Sequence, residues 1–258
     1  MPDSFYRRLG PDRFGSTPWT TGPWDAAAHH GGPPSALRAR AVEQHRPRPE
    51  VVVARMTVEI LRPVPVGELE VTAETLRPGR AVEMLGATMR ADGVEVARAT
   101  AWRVRRTQAA TVPDRHPDPP ALPSHGGLVL PPGWVDGYLS AVEWRTARGS
   151  FTEPGPAALW TRLRYPLVEG EEPSGLQRVM AVADSGSGVS NELGVQQWLF
   201  INPELTVHLH RDPVGEWVCL DATTAISQGG VGLATSVLSD LGGPLGVGAQ
   251  SLLVTPRR

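Results

Sequence analysis

The chain has 258 residues, of which 40% are hydrophobic, enough for a packed core in one large domain or two of roughly 130 residues each. Its formal net charge of −2 argues against a polyanion-binding surface, and all 25 basic side chains are arginine, which excludes Schiff-base, phosphate-loop-lysine and Ser-Lys chemistry. A single cysteine, Cys219, excludes a disulfide framework and a cysteine-rich zinc site.

Residues 1–28 place Phe5, Tyr6, Phe14, Trp19 and Trp24 among turn formers, and a short strand is predicted within 12–24. His29-His30-Gly31-Gly32-Pro33-Pro34 then leads into Ser35-Ala-Leu-Arg-Ala-Arg-Ala-Val-Glu-Gln44, whose Ala and Leu spacing and early prolines predict a helix. Strands are predicted at 51–64, 68–77, 81–91 and 94–105, the last two joined by a tight turn at Asp92-Gly93. From Thr107 to Trp134 the chain is proline-rich without apolar periodicity and reads as an extended linker or surface crossing.

The second half repeats the plan. A strand is predicted at 157–167 and a helix from Gly175 to Asp184, stopped by Ser185-Gly-Ser-Gly188. Strands follow at 197–211, 216–226, 231–239 and 244–254. The repeat is visible in the residues: Leu-Thr-Val-His-Leu-His-Arg (205–211) matches Met-Thr-Val-Glu-Ile-Leu-Arg (56–62). Both copies run on through Pro and Val to a Gly-Glu pair, Gly67-Glu68 and Gly215-Glu216. Strand, helix and a run of antiparallel strands, written twice, define an α+β class with one helix facing each half-sheet. The predicted organisation is 12–106, a linker over 107–134, and 135–258.

The features that carry a family resemblance are His30-Gly31-Gly32 opening the first helix, the Arg62-Pro63 strand end, and Ala183-Asp184 closing the second helix. With them go Asn202-Pro-Glu-Leu-Thr-Val-His-Leu-His-Arg211 and Asp240-Leu-Gly-Gly-Pro-Leu-Gly-Val-Gly-Ala-Gln250. In order and spacing the chain resembles the double-hotdog acyl-CoA thioesterase II and thioesterase-like family, from about residue 12 to 254. The resemblance implies two tandem hotdog repeats, each a helix wrapped by an antiparallel sheet. It implies hydrolysis of acyl-CoA by an Asp, a Thr or Ser, and a Gln grouped around one water. The Asp falls on Asp184 and the Gln on Gln250. The hydroxyl position falls on or beside Asn202, where this chain departs from the pattern; an amide can hold water but relays a proton less readily.

In that scheme Asp184, ending the apolar run Val179–Ala183, is the general base, and Asn202 and Gln250 place the water. Backbone N–H groups of Gly31 and Gly32 supply the oxyanion donors at a helix N-terminus. Each residue also has a plainer reading. Asp184 suits bonding to turn amides, Gln250 suits a buried amide satisfying backbone groups, and Asn202 before Pro203 suits a bulge. His30 reads first as a helix-capping or solvent-facing residue, with substrate contact as the alternative. Aligning the copies sets Val53 against Asn202, Thr100 against Gln250 and Ala41 near Asp184, so only one of two pseudo-equivalent sites is equipped for chemistry.

His208 and His210 project from one strand face but lack a third ligand at recognisable spacing, so a solvated or subunit-contacting face is expected, with no metal. Gln228-Gly-Gly-Val-Gly232 lacks the strand and helix of a nucleotide loop. Cys219, within Trp217-Val-Cys-Leu220, reads as a buried structural thiol. No signal-peptide or membrane-spanning run occurs, so a soluble cytoplasmic protein is expected. The expected partner is an acyl-CoA or other acyl thioester, with CoA arriving as part of the substrate and no further cofactor, nucleic acid or membrane involved. The chain is expected to form a homo-oligomer, a dimer or higher. The alternatives are a non-catalytic acyl-thioester-binding protein and an enoyl-thioester hydratase or dehydratase.

Overall fold

A computed structural model describes residues 3–109, 112, 115–128 and 137–257. The first half runs β1 (Tyr6–Arg8), β2 (Arg13–Ser16), α1 (Gly32–Gln44), β3 (Val51–Ile60), β4 (Glu68–Arg77), β5 (Val82–Ala91) and β6 (Val94–Arg105). The second runs α2 (Tyr138–Ala141), β7 (Val142–Arg148), β8 (Ala157–Leu163), α3 (Gly175–Ala183) and α4 (Gly186–Val189). It continues with β9 (Trp198–Ile201), β10 (Glu204–Leu209), β11 (Val218–Ile226), β12 (Val231–Asp240) and β13 (Gly243–Pro256).

The strands join in one antiparallel sheet ordered β1-β2-β4-β5-β6-β3-β10-β13-β12-β11-β8-β7, with β9 also on β13. Its two ends approach each other, because Tyr6 N–H donates to Leu167 O at 2.9 Å and Glu169 N–H donates to Tyr6 O at 2.9 Å. The sheet thus curls around α1 and α3 as a double hotdog. The first residues belong to this closure, which the sequence reading left outside the repeat.

The two halves meet at β3 and β10, where Thr206 lies directly opposite Thr57, Leu205 opposite Val58 and Val207 opposite Met56. These are the repeated heptapeptides, so a pseudo-twofold axis passes through the Thr57–Thr206 pair, whose hydroxyl oxygens are 3.2 Å apart. The symmetry extends to a defect. Register slips between Val53 and Arg55 in β3. At the matching place in the second half, the pairing of β13 passes from Ile201 on β9 to Thr206 on β10 with one extra residue. Asn202 and Pro203 occupy that break. Pro203 has no N–H to give a ladder, which divides the single strand expected over 197–211.

Ten of the thirteen residues of α1 are buried, so it is a core helix with no solvent face. Ala36 and Ala39 are fully buried, and their small side chains admit close neighbours. At its N-terminal end a Cβ on Gly32 would lie 2.0 Å from Ala181 O, so only glycine permits this approach to α3. Four further elements differ from expectation. Pro18 converts the region after β2 into a 3₁₀ turn over Pro18–Thr20. Ser185-Gly-Ser-Gly188 does not end the helical path but enters α4. The strand β7 and helix α2 were not anticipated, lying just past the proline-rich stretch.

Among the described residues of that stretch, Pro120 O accepts from Trp160 Nε1 at 2.9 Å and Pro123 O from Arg145 Nη1 at 2.9 Å. The segment therefore crosses over β7 and β8; the expected linker end and the start of the second half at 135 lie outside the described residues. Cys219 is buried with Trp160 and Trp217, and burial pushes its thiol up to about 12. His208 and His210 are exposed, and His210 stacks on His116. No described helix is long and apolar enough to cross a membrane.

Candidate active site

The antiparallel packing of α1 and α3 sets the N-terminus of one beside the C-terminus of the other. Asp184 caps the C-terminal end of α3 and is only 6% exposed. Gly31 caps the N-terminal end of α1. The two are in contact: a Cβ on Gly31 would lie 2.6 and 2.7 Å from the carboxylate oxygens of Asp184. They form part of the wall of a cavity of about 440 Å³, otherwise lined largely by apolar side chains including Val64, Leu139, Trp144 and Phe151.

A carboxylate at a helix C-terminus faces the negative end of the helix dipole, so side-chain donors must hold its charge. Asn202 Nδ2 donates to Asp184 Oδ1 at 2.7 Å. Gln250 Nε2 donates to Asp184 O at 3.0 Å and reaches Oδ1 at 3.4 Å. Gln250 is itself oriented, because its Oε1 accepts from Ser187 N–H at 3.1 Å. Both amides therefore act on the carboxylate, and Gln250 has no free end for a water. The bulge before β10 aims Asn202 inward.

His30 completes the group. Its Nδ1 accepts from Gly32 N–H at 3.1 Å and lies 3.3 Å from Asp184 Oδ2. Burial lowers its pKa below the ordinary histidine value, against the opposing pull of Asp184, so the ring is neutral at pH 7. The ring stacks on Tyr138 at a centroid distance of 3.9 Å. Tyr138 Oη in turn donates to Ala181 O at 2.9 Å and lies 3.0 Å from Ser185 Oγ. Sequence reasoning missed Tyr138, which follows the proline-rich stretch with no periodicity to single it out. The bond from Gly32 to His30 leaves Gly31 as the free N–H of the expected oxyanion pair. The structure thus brings together Asp184, Asn202, Gln250, His30, Gly31 and Gly32.

His29, also on the cavity wall, is held neutral by burial and the field of Arg38, down to about 3. Its ordinary value in the unfolded chain is 6.5. A group depressed in the fold favours unfolding once protonated. Its contribution is therefore complete above about pH 6.5 and is lost as pH falls toward 3, at most about 1.4 kcal/mol per pH unit. Denaturant titrations between pH 7 and 4 should show this slope, and His29→Gln should flatten it by one proton's worth.

The pseudo-twofold axis generates a second position, where the N-terminus of α3 meets the C-terminus of α1. It opens on a cavity lined by Val53, Glu43, Arg103 and Ser174 among others. Val53 stands where the first site has Asn202. The counterpart of Gln250 is corrected by the register: Thr100 opposes Thr57 as Ala249 opposes Thr206, so Ala101, not Thr100, corresponds to Gln250. The acid there, Glu43, bonds Ser174 Oγ and Gln177 Nε2, each at 2.8 Å, and burial raises its pKa. It secures the start of α3 and has no amide pair like that around Asp184.

A double hotdog alone does not fix an activity; the family profiles decide the class here. Residues 20–104 match the family profile for an acyl-CoA thioesterase N-terminal domain and residues 107–254 that for the C-terminal domain. The chain belongs to the acyl-CoA thioesterase family and is a hydrolase of the thioesterase class. In fold it is similar to a hot-dog protein of Alicyclobacillus acidocaldarius, with TM-score 0.75 and 19% identity over 99% of this chain and 97% of that one. It is also similar to a protein provisionally designated a thioesterase from Novosphingobium aromaticivorans, with TM-score 0.73 and 22% identity over 96% and 98%. An acyl-CoA thioesterase II of Mycobacterium marinum superposes with TM-score 0.66 at 14% identity over 98% and 95%. A search of curated proteins returns no match.

Proposed function

We propose that the chain hydrolyses acyl-CoA thioesters with a water activated by Asp184. The observation that carries this reading is the buried Asp184 carboxylate, held by Asn202 and Gln250 on Oδ1 and open to His30 on Oδ2. Asp184 Oδ2 takes a proton from water as the water oxygen attacks the thioester carbonyl carbon. The carbonyl oxygen becomes an oxyanion that accepts from Gly31 N–H at the start of α1. Collapse breaks the C–S bond, and the CoA thiolate leaves with the proton held on Asp184. Asp184 then passes that proton to the departing thiolate, which restores the carboxylate, while His30 Nδ1 stays engaged by Gly32 N–H.

Gln250 positions Asp184, and Asn202 offers its free Oδ1 to the water while its Nδ2 holds the base. At the cavity wall Arg62 is exposed and makes no ion pair among the described residues, which suits the phosphates of CoA. The test is release of free thiol across a panel of acyl-CoA chain lengths. Release from at least one member is expected. No release from any member would overturn hydrolysis and favour a protein that only binds acyl thioesters.

A further inference from the structure

Helix α1 presents Gly31, Pro34 and Arg38 to the cavity, one stripe of its surface at spacings of three and four. Gly31 touches the Asp184 carboxylate, and Arg38 lies two turns further in. Arg38 is fully buried. Its Nη1 meets only the sulfur of Met89 at 3.6 Å, and its Nη2 only Ser35 Oγ at 3.4 Å. Its Nε has no hydrogen-bond partner among the described residues. No carboxylate pairs with it among the described residues.

The other buried guanidiniums are treated differently. Arg40 holds Glu171 in a two-bond fork at 2.6 and 2.7 Å. Arg103 donates to Val42 O, to His45 O at 2.7 Å and to Glu83 at 3.5 Å. An unpaired buried charge costs several kcal/mol, and burial pulls Arg38 down to about 10, which still leaves it cationic at neutral pH.

No anion bonds it among the described residues, and the Asp184 carboxylate acts on it only at a distance. Ser16 O–H donates to Gly67 O at 2.8 Å. His29 Nε2–H must then donate to Ser16 Oγ at 2.8 Å, and Tyr6 O–H to His29 Nδ1 at 3.3 Å. This chain of bonds is neutral throughout. Ser35 O–H is spent on Gly31 O at 2.7 Å. One cation therefore stands in the inner wall of an apolar cavity whose other polar end is the hydrolytic carboxylate.

We propose that Arg38 receives a carboxylate at the far end of the acyl group, so that the substrate class is a short ω-carboxyacyl thioester, the half-thioester of a dicarboxylic acid. A carboxylate matches the guanidinium fork in both shape and charge and displaces only two weak contacts. The side chain folds back to Ser35, four residues from Gly31 and about 6 Å of helix rise away, which suits an acyl chain of roughly four to six carbons. This inference rests on the thioesterase reading above for where the carbonyl lies.

The test compares glutaryl-CoA with pentanoyl-CoA, equal in carbon number and differing in the terminal carboxylate, for the native chain and Arg38→Met. The native enzyme is expected to favour glutaryl-CoA in kcat/KM by about tenfold or more, and Arg38→Met to abolish or invert that preference. Calorimetric titration with carba analogues, in which CH₂ replaces the thioester sulfur, reads the same preference without hydrolysis. Equal binding of both analogues by the native protein, binding of neither, or a preference that survives Arg38→Met overturns the proposal and leaves thioester hydrolysis standing. Discrimination between the analogues with no thiol released from any member of the acyl-CoA panel upholds the Arg38 site and overturns hydrolysis. Arg38→Met is expected to keep or raise Tm, because it removes an uncompensated charge. Loss of the fold in both Arg38→Met and Arg38→Gln would assign Arg38 to packing and overturn the proposal.

Discussion

Asp184→Asn is expected to lower kcat by about three orders of magnitude, within the range that a positioned general base contributes, with a much smaller change in KM. The substitution keeps shape and removes basicity. The Asn side chain can turn its oxygen toward Asn202 Nδ2, preserving the bond that Asp184 Oδ1 now accepts at 2.7 Å. The bond from Gln250 Nε2 to the backbone carbonyl at 3.0 Å is untouched. What disappears is the anion on the cavity side, beside His30. Because the carboxylate sits against a helix C-terminus, its removal should also stabilise the fold by about 1 kcal/mol. Steady-state kinetics and thermal denaturation on one preparation check both effects. A fall in kcat of less than tenfold would remove Asp184 from the role of base.

Gly31→Ala is expected to cost about a hundredfold in kcat while the chain still folds. Gly31 has φ −66° and ψ −19°, ordinary helical values that alanine adopts freely, so the substitution introduces no backbone strain. The added methyl instead meets the Asp184 oxygens at 2.6 and 2.7 Å, closer than such atoms approach. Either the carboxylate or the start of α1 must move by several tenths of an ångström, and a displacement of that order at a reacting group costs about 10²-fold. Gly229→Ala is the control, since its methyl would meet nothing nearer than Ser227 Oγ at 3.7 Å. Activity near the native level in Gly31→Ala would show that the carboxylate does not work at its observed position.

Much of the strand plan is written locally. β4, β6 and β12 fall within a residue of their expected bounds, because alternation and an Asp-Gly turn are properties of neighbouring residues. The long strand expected over 197–211 is divided at Asn202-Pro203, where one missing N–H breaks the ladder, and it ends at Leu209 rather than Arg211. The repeat was equally legible, and it carried the architecture: the pairing of Thr57 with Thr206 is the contact a duplicated unit makes across its own axis.

The site was legible in part. Asp184, Gln250 and Asn202 were found through resemblance, but their mutual geometry was not, since 66 residues separate Asp184 from Gln250 and no local pattern links them. Gly32 was expected to offer its N–H to an oxyanion, yet that donor is spent on His30. The counterpart of Gln250 shifted by one residue, because alignment of strand ends does not fix register.

By itself, then, the sequence determined a duplicated α+β fold and its pseudo-twofold axis. Those follow from periodicity and repetition, which act between residues close in the chain or equivalent by copying. The tertiary structure alone decided that both amides hold the carboxylate, that Tyr138 supports His30, and that Arg38 is buried without an anion. In the sequence Arg38 is an ordinary polar residue of an alanine-rich helix. It becomes a buried charge only because the sheet closes around α1, and that closure depends on contacts between the two ends of the sheet that no local pattern encodes.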